Sequence, residues 1–297
     1  MTRQCWASLA ILLAAIAASA SAQVANFSVA TEEVRVDVLV TDKGKPVAGL
    51  RAADFEIFDN GIPQEIQYVT LQKQTPISAI LVFDMSLSVA GDTLNHLKDA
   101  ARGFLANLGK EDHVALITFN NAVVLGSPAT RDLARVRIAL DQVHPAGNSS
   151  LMDGIYAGLL LAETRPDPPL VIIFSDGCDT ISWLTSEAVL ETSKRNDAVV
   201  YAVSSSGLPK KSFLSDLTEF TAGSLFEVES VTNLPALFLR ILDEFRQRYM
   251  LTYIPSGVSE SGWHKLEVRA KRRSAKVRAR PGYMRSSREN KEVTQGE

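Results

Sequence analysis

The sequence predicts an α/β fold: a doubly wound, mostly parallel sheet flanked by helices, with a small antiparallel β subdomain beside it. Three observations predict it. Short apolar runs such as Ile77–Phe83 and Leu170–Phe174 read as strands buried on both faces. Segments with apolar residues at helical spacing separate those runs, as crossover connections of a parallel sheet require. The segments before Pro76 and after Arg248 alternate apolar and polar residues, the pattern of antiparallel strands with one covered face.

Taken in order, residues 1–22 stand outside the fold. Arg3, the apolar stretch Trp6–Ala18 and the small-residue site Ala20-Ser21-Ala22 form a secretory signal peptide. The apolar core is too short for a comfortable membrane span, and no later stretch is long enough for one. Cleavage removes one base and no acid, taking the net charge from −3 to −4. That charge gives no general attraction to nucleic acid or anionic membrane. Cys178 is the one cysteine left after cleavage, so no intramolecular disulfide is expected and the exported fold must rely on its core.

Residues 23–75 form an N-terminal β segment. Val34, Val36, Val38 and Val40 alternate with Arg35, Asp37, Leu39 and Thr41, and Asp59-Asn60-Gly61-Ile62-Pro63 marks a hairpin. Residues 76–248 form the α/β unit. Leu94 to Leu108 recur at helical spacing, and His113–Phe119 is a strand with a short antiparallel edge at Ala122–Leu125. Helices follow over Arg131–Val143, Leu151–Glu163, Ser186–Asn196, Leu214–Phe220 and Leu234–Phe245, with strands at Leu170–Phe174, Ala198–Val203 and Ser224–Val228. Residues 249–284 return to β structure in three strands, and 285–297 read as a disordered polar tail. The two β flanks can complete one subdomain across the α/β insert.

The most informative stretch is Asp84-Met85-Ser86-Leu87-Ser88. It follows a buried strand, so it lies at the carboxyl edge where open α/β sheets bind ligands. If the loop stays extended, alternate spacing turns Asp84, Ser86 and Ser88 to one side. Asp176-Gly177 follows a second buried strand on the same edge. Between them, Gly147-Asn148-Ser149-Ser150 is a hydroxyl-bearing loop that opens a helix. Three such loops supply hard oxygen donors to one point, which suits Mg²⁺, or Mn²⁺ or Ca²⁺, rather than zinc.

With these residues in place, the α/β region resembles a von Willebrand factor type A (VWFA) domain, Rossmann-like in its sheet, with a metal-ion-dependent adhesion site (MIDAS). That family carries Asp-x-Ser-x-Ser after the first strand, a Thr in a helix-opening loop and Asp-Gly after a central strand. The resemblance places these on Asp84, Ser86 and Ser88, then Ser149, then Asp176. Ser149 stands four residues before Asp153, as the family's Thr does, and Ser150 is its competitor. Together with the Val-rich start, Leu50 to Gly61, Tyr249 to Tyr253 and Pro281-Gly282-Tyr283, the whole is similar to the bacterial, acidobacterial-type VWFA-related proteins over about residues 30–284.

The resemblance implies a binding module. In the family the hydroxyls contact the ion or reach it through water, and the aspartates act largely through water. Neutral hydroxyl ligands leave the ion's charge incompletely neutralised, so a carboxylate from a protein partner can complete the shell. In relatives, sliding of the last helix changes affinity at the metal; Leu234–Phe245 corresponds here. The expectation is therefore an exported, periplasmic or surface-exposed, non-enzymatic module that binds an Asp- or Glu-bearing protein through Mg²⁺. The sequence does not give the oligomeric state. The alternatives are a Mg²⁺-dependent hydrolase or phosphotransferase, and a metal-free scaffold in which Ser86 and Ser88 only cap the next helix.

Other features carry weaker signals. No Gly-x-Ser-x-Gly elbow, phosphate loop or dinucleotide turn is present. Lys265–Arg280 holds eight bases and one acid, but its alternation with Leu266, Val268 and Ala270 reads as a strand with a solvated face. His96, His113, His144 and His264 read as surface or strand-end residues, Cys178 and Asp179 as loop residues.

Overall fold

The structure, a computed structural model, describes residues 33–176, 178–205, 213–272 and 274–285. The expected signal peptide and all of the expected tail beyond Arg285 lie outside these residues.

The strands are β1 (Val34–Asp42), β2 (Lys45–Pro46), β3 (Phe55–Asp59), β4 (Ile62–Gln64), β5 (Ile66–Leu71), β6 (Ser78–Asp84), β7 (His113–Phe119), β8 (Val123–Thr130), β9 (Pro169–Ser175), β10 (Val199–Ser204), β11 (Ser224–Glu227), β12 (Tyr249–Tyr253), β13 (Gly262–Ala270), β14 (Ala275–Ala279) and β15 (Gly282–Arg285). The helices are α1 (Asp92–Ala106), α2 (Leu133–Asp141), α3 (Leu151–Glu163), α4 (Ser186–Arg195), α5 (Phe213–Phe220) and α6 (Leu234–Arg246).

The central sheet has the order β11-β10-β9-β6-β7-β8. Its pairings are parallel except for β8, which runs antiparallel to β7 on the edge. Strand β6 is buried along its whole length, and its residues alternate between two cores. Ala79, Leu81 and Phe83 meet α1, α2 and α6, while Ile80 and Val82 meet α3, α4 and α5. This is why β6 reads as continuous apolar sequence rather than as an alternating strand. Each large side chain so buried contributes about 1.5–3 kcal/mol.

Helix α3 lies unusually close to the sheet. A Cβ on Gly154 would stand 2.4 Å from the Phe119 ring, and one on Gly158 would stand 2.8 Å from Val82. The two glycines therefore let α3 approach, and they bring its N-terminal loop to the carboxyl end of β6.

The flanks form two antiparallel sheets, β14-β1-β12-β5 with β2 beside β1, and β15-β13-β3-β4. Each combines strands from before and after the α/β section. Their apolar faces share one core containing Val34, Val36, Val38, Val40, Phe55, Ile57, Leu251 and Leu266. The alternation expected for β1 holds for its valines, but Asp37 and Leu39 on the opposite face are buried too. Asp37 accepts from Gln72 at 2.9 Å and pairs with the fully buried Arg248. Arg248 also reaches the Tyr201 hydroxyl on β10, so this pair ties β1 to the central sheet. The C-terminal flank holds four strands rather than the three expected, the fourth being β15.

His264 departs from expectation. It is fully buried on β13 against Asp59, also fully buried, with Nδ1 to Oδ1 at 2.8 Å. The other Asp59 oxygen accepts from the Tyr253 and Tyr283 hydroxyls at 2.8 and 2.9 Å. Burial and these partners push both phenols up. The strand's alternation turns the imidazole inward, where a carboxylate awaits it, so no surface position results.

Candidate metal centre

Asp84 ends β6 and is fully buried. Four groups address its carboxylate. The Ser86 amide donates to Oδ1 at 2.8 Å, while Ser149 Oγ and Ser175 Oγ donate to Oδ2 at 2.9 and 2.8 Å. The Ser86 hydroxyl is the fourth group acting on it. Burial raises the Asp84 carboxyl above its ordinary value, and the hydrogen bonds from Ser86, Ser175 and Ser149 oppose that rise without cancelling it. Among the described residues its hydrogen-bond donors are hydroxyls and an amide, none of them basic.

After Asp84 the chain does not stay extended. Leu87–Val89 coils into a 3-10 turn, and Ser86 precedes it. The turn still brings the two serines together, with Ser86 Oγ and Ser88 Oγ 3.0 Å apart. The Ser86 side chain caps neither that turn nor α1, which begins behind Gly91. Ser86 is buried and Ser88 exposed, so the hydroxyl pair runs from beneath the surface to solvent.

The second loop arrives from α3. Ser149 faces Asp84, whereas Ser150 Oγ is buried without a hydrogen-bond partner and precedes the helix as its N-cap. Of the two candidates, the structure brings Ser149 to the carboxylate. The third loop follows β9. Asp176 Oδ1 accepts from the Cys178 amide at 3.0 Å. Asp176 lines a cleft of about 190 Å³ together with Ser86, Ser88, Ser149 and Thr180. All three predicted loops thus open on one space at the carboxyl edge of the sheet. Cys178 is a free, exposed thiol on the same cleft.

Several contributors escape the sequence pattern. Ser175 is a fully buried strand residue whose hydroxyl turns toward Asp84. Its only sequence signal is its place next to Asp176. Asp179 is an exposed loop acid, as expected, but it also caps α3. It accepts from the Leu151 amide at 2.9 Å and from Ser182 Oγ, which itself receives the Met152 amide at 3.0 Å. The first amides of α3 are therefore capped by a loop some 30 residues away. Thr180 Oγ1 accepts from the Ser149 amide at 3.0 Å and donates to the Ser149 carbonyl at 3.1 Å, which locks that residue's backbone.

The donor set is carboxylate and hydroxyl oxygen only, and it surrounds a buried anion with neutral partners. Those are features a hard divalent cation fits, because it would compensate the desolvated carboxylate. Among the described residues no cluster of three or more His, Cys, Asp or Glu side chains is positioned to hold a metal ion. Among the described residues no imidazole or amine lines the cleft. Elsewhere, Ser259 Oγ meets His264 Nε2 at 3.2 Å, and His264 meets Asp59, the order of a hydrolase relay. There the imidazole is fully buried and the acid is shared with two tyrosines, so the group ties the two antiparallel sheets together.

The layout is an open α/β sheet with three loops carrying carboxylate and hydroxyl oxygens at its carboxyl edge. Residues 79–178 match the von Willebrand factor type A domain, and the chain carries that domain. An uncharacterized protein of Synechocystis sp., sll0103, is 25% identical over 104 residues, which are 34% of this chain and 25% of that protein. The matched part thus spans about a quarter of the length of that curated relative. Among solved structures, proximal thread matrix protein 1 from the mussel byssus, with a zinc-occupied MIDAS motif, superposes with a TM-score of 0.51 at 17% identity, covering 62% of this chain and 48% of that one. That likeness shows the fold. A Bacteroides fragilis aerotolerance-related membrane protein aligns with a TM-score of 0.47 at 14% identity over 58% of this chain and 99% of that one. Among the described residues no helix is long and apolar enough to cross a membrane.

Proposed function

We propose that this chain is an exported protein-binding module. Asp84, Ser86, Ser88, Ser149 and Asp176 hold a divalent cation, Mg²⁺ before Mn²⁺ or Ca²⁺, and the cation accepts a carboxylate from a protein partner. The observation that carries the reading is the buried Asp84 carboxylate, which accepts hydrogen bonds from hydroxyls and an amide, with no basic donor among the described residues. A hard cation there meets neutral ligands and keeps enough charge to attract an anion. No imidazole or amine is among the described residues lining the cleft, which favours a bridge over a hydrolytic centre. The mussel protein, which shares the fold, has a MIDAS motif occupied by zinc, and that supports the reading of a divalent-metal site.

In this reading residues 1–22 direct export, 76–248 form the binding domain, and 23–75 with 249–284 form its β support, as in bacterial VWFA-related proteins. Calorimetry with Mg²⁺ on the wild type and on Asp84→Ala tests the metal. Heat of binding in the first and none in the second is expected, and a silent wild type sinks the reading in favour of a metal-free scaffold. A pull-down from envelope extract with and without EDTA tests the bridge. Partner recovery independent of EDTA rules the bridge out.

A further inference from the structure

A cavity of about 480 Å³ opens where the end of α6 meets the β flank. Val47, Ala48 and Leu71 line it from the flank, Lys73 from the turn after β5, and Asp243 and Arg246 from the last turn of α6. The volume is that of a small-molecule site. Val47 and Leu71 also pack against the core of the flank, so the apolar part of the wall is fixed. Arg246 is held as well, by the Thr75 carbonyl at 3.1 Å and by Asp112. Thr75 and Asp112 precede β6 and β7, which sets the cavity toward the amino edge of the central sheet. The cleft beside Asp84 opens at the opposite, carboxyl edge.

Two charges on this wall are left over. Arg246 is matched by Asp112, and Glu244 is held by Tyr201 and Arg278. Lys73 and Asp243 are both exposed. Among the described residues neither has a hydrogen bond or an ion pair, with each other or with any other group. Asp243 is also poorly placed for its own helix, because a C-terminal turn favours a cation and disfavours an acid. One cavity thus presents an unmatched base, an unmatched acid and an aliphatic surface.

We infer that this cavity binds a small zwitterion with an aliphatic side chain, a free amino acid or a dipeptide. Its ammonium meets Asp243, its carboxylate meets Lys73, and its side chain lies against Val47 and Leu71. The charges select this class. A simple anion would satisfy Lys73 and leave Asp243 facing it, and a simple cation would do the reverse. An apolar ligand would strip water from both charges without replacing it. A sugar would set hydroxyls against the aliphatic surface. A zwitterion answers both charges with charge-assisted hydrogen bonds and adds the apolar contact. None of the residues proposed for the cation takes part, so the two readings stand or fall separately.

The test is calorimetric titration of the full chain in EDTA with leucine and with Leu-Leu. The controls are N-acetyl-leucine, which lacks the ammonium, leucine amide, which lacks the carboxylate, and Gly-Gly, which lacks the side chain. Heat of binding is expected for leucine, Leu-Leu or both, the tighter giving the length of the ligand, and each control should bind about tenfold more weakly or worse. Lys73→Met should weaken the zwitterion to the level of leucine amide, and Asp243→Asn to the level of N-acetyl-leucine. Both side chains are exposed, so the melting temperature of the free variants should stay at the wild-type value. Absence of heat with both zwitterions overturns the site, as does a control that binds as tightly as they do. Binding that survives both substitutions lies elsewhere and overturns it too. Binding that appears only when Mg²⁺ replaces EDTA belongs to the cleft, which overturns this cavity and leaves the metal reading intact.

Discussion

Ser149 Oγ donates to Asp84 Oδ2 at 2.9 Å across 65 positions of sequence. This bond joins the loop before α3 to the end of β6 and sets two of the three loops in register. Asp84 and Ser149 are both almost fully buried, at 0% and 4% exposure, so the carboxylate is desolvated while its partners stay neutral. The energetics of the site follow from that imbalance.

Asp84→Asn should therefore separate folding from metal binding. Burial, the largest influence, raises the Asp84 carboxyl in the folded state. A group so raised contributes most to stability below its ordinary value of 3.8, and that contribution is lost as pH rises through the folded-state value. In EDTA, the wild type should lose ground to Asp84→Asn between acid and neutral pH, by on the order of a few degrees in melting temperature. In Mg²⁺ the order should reverse, because the cation compensates the carboxylate and the amide binds it poorly. Melting curves across pH with each additive decide the matter, and an Asn variant less stable than wild type in neutral EDTA contradicts the account.

Ser149 offers a finer probe. Ser149→Ala leaves Ser175 as the remaining hydroxyl donor to Asp84 Oδ2 and removes a proposed ligand. Mg²⁺ affinity should fall about 10- to 100-fold. Ser149→Thr keeps the hydroxyl and should hold affinity close to the wild-type value. Ser150→Ala should leave Mg²⁺ affinity unchanged, since the Ser150 hydroxyl is buried and makes no hydrogen bond. Calorimetric titration of the three variants checks this, and equal losses at 149 and 150 would show that the loop was assigned wrongly.

Much of this site is legible in sequence because its anchors sit at punctuation points. Asp84 and Asp176 each follow an uninterrupted apolar strand, and Ser149 precedes a helix whose start at Leu151 is plain from its apolar spacing. What stays hidden depends on long-range closure. Asp179 and Ser182 look like ordinary loop polar residues until α3 supplies amides that need caps. His264 looks like any polar residue in an alternating strand, and its burial is decided by Asp59, 205 residues earlier. The strands of the two flanks are readable one by one, but their pairing into shared sheets is a property of the closed chain.

The Asp59 cluster makes a stability prediction independent of metal. Asp59→Ala strips the acceptor from His264, Tyr253 and Tyr283 inside a closed core. Each buried donor left unpaired costs about 1–3 kcal/mol, so a loss of roughly 3 kcal/mol or more is expected in urea unfolding. Mg²⁺ affinity of the folded fraction should not change, because the cluster lies in the β support. A loss below about 1 kcal/mol would mean that water replaces the carboxylate.

The last helix bears on whether the site can switch. Helix α6 packs across α1 in the core, and its far end is clamped from several directions. Arg246 reaches the Thr75 carbonyl at 3.1 Å and pairs with the buried Asp112. Glu244 accepts from the Tyr201 hydroxyl at 2.8 Å and pairs with Arg278 on β14. Arg248, two residues past the helix, is sealed against Asp37, and its carbonyl accepts the Gln72 amide at 2.9 Å. Sliding α6 along its axis would break these contacts together. Removing one charge of the buried pair, as in Arg248→Met, should cost about 3–5 kcal/mol because it strands Asp37. The double variant Asp37→Leu/Arg248→Met should recover much of that loss in denaturant unfolding. It should also free the helix end, so it is the variant in which Mg²⁺ affinity can respond to α6. In the wild type, an engineered disulfide fixing α6 to α1 should leave that affinity within about twofold of its starting value. A larger change on crosslinking would show that the helix moves despite its clamps, and that the family's switching device operates here as well.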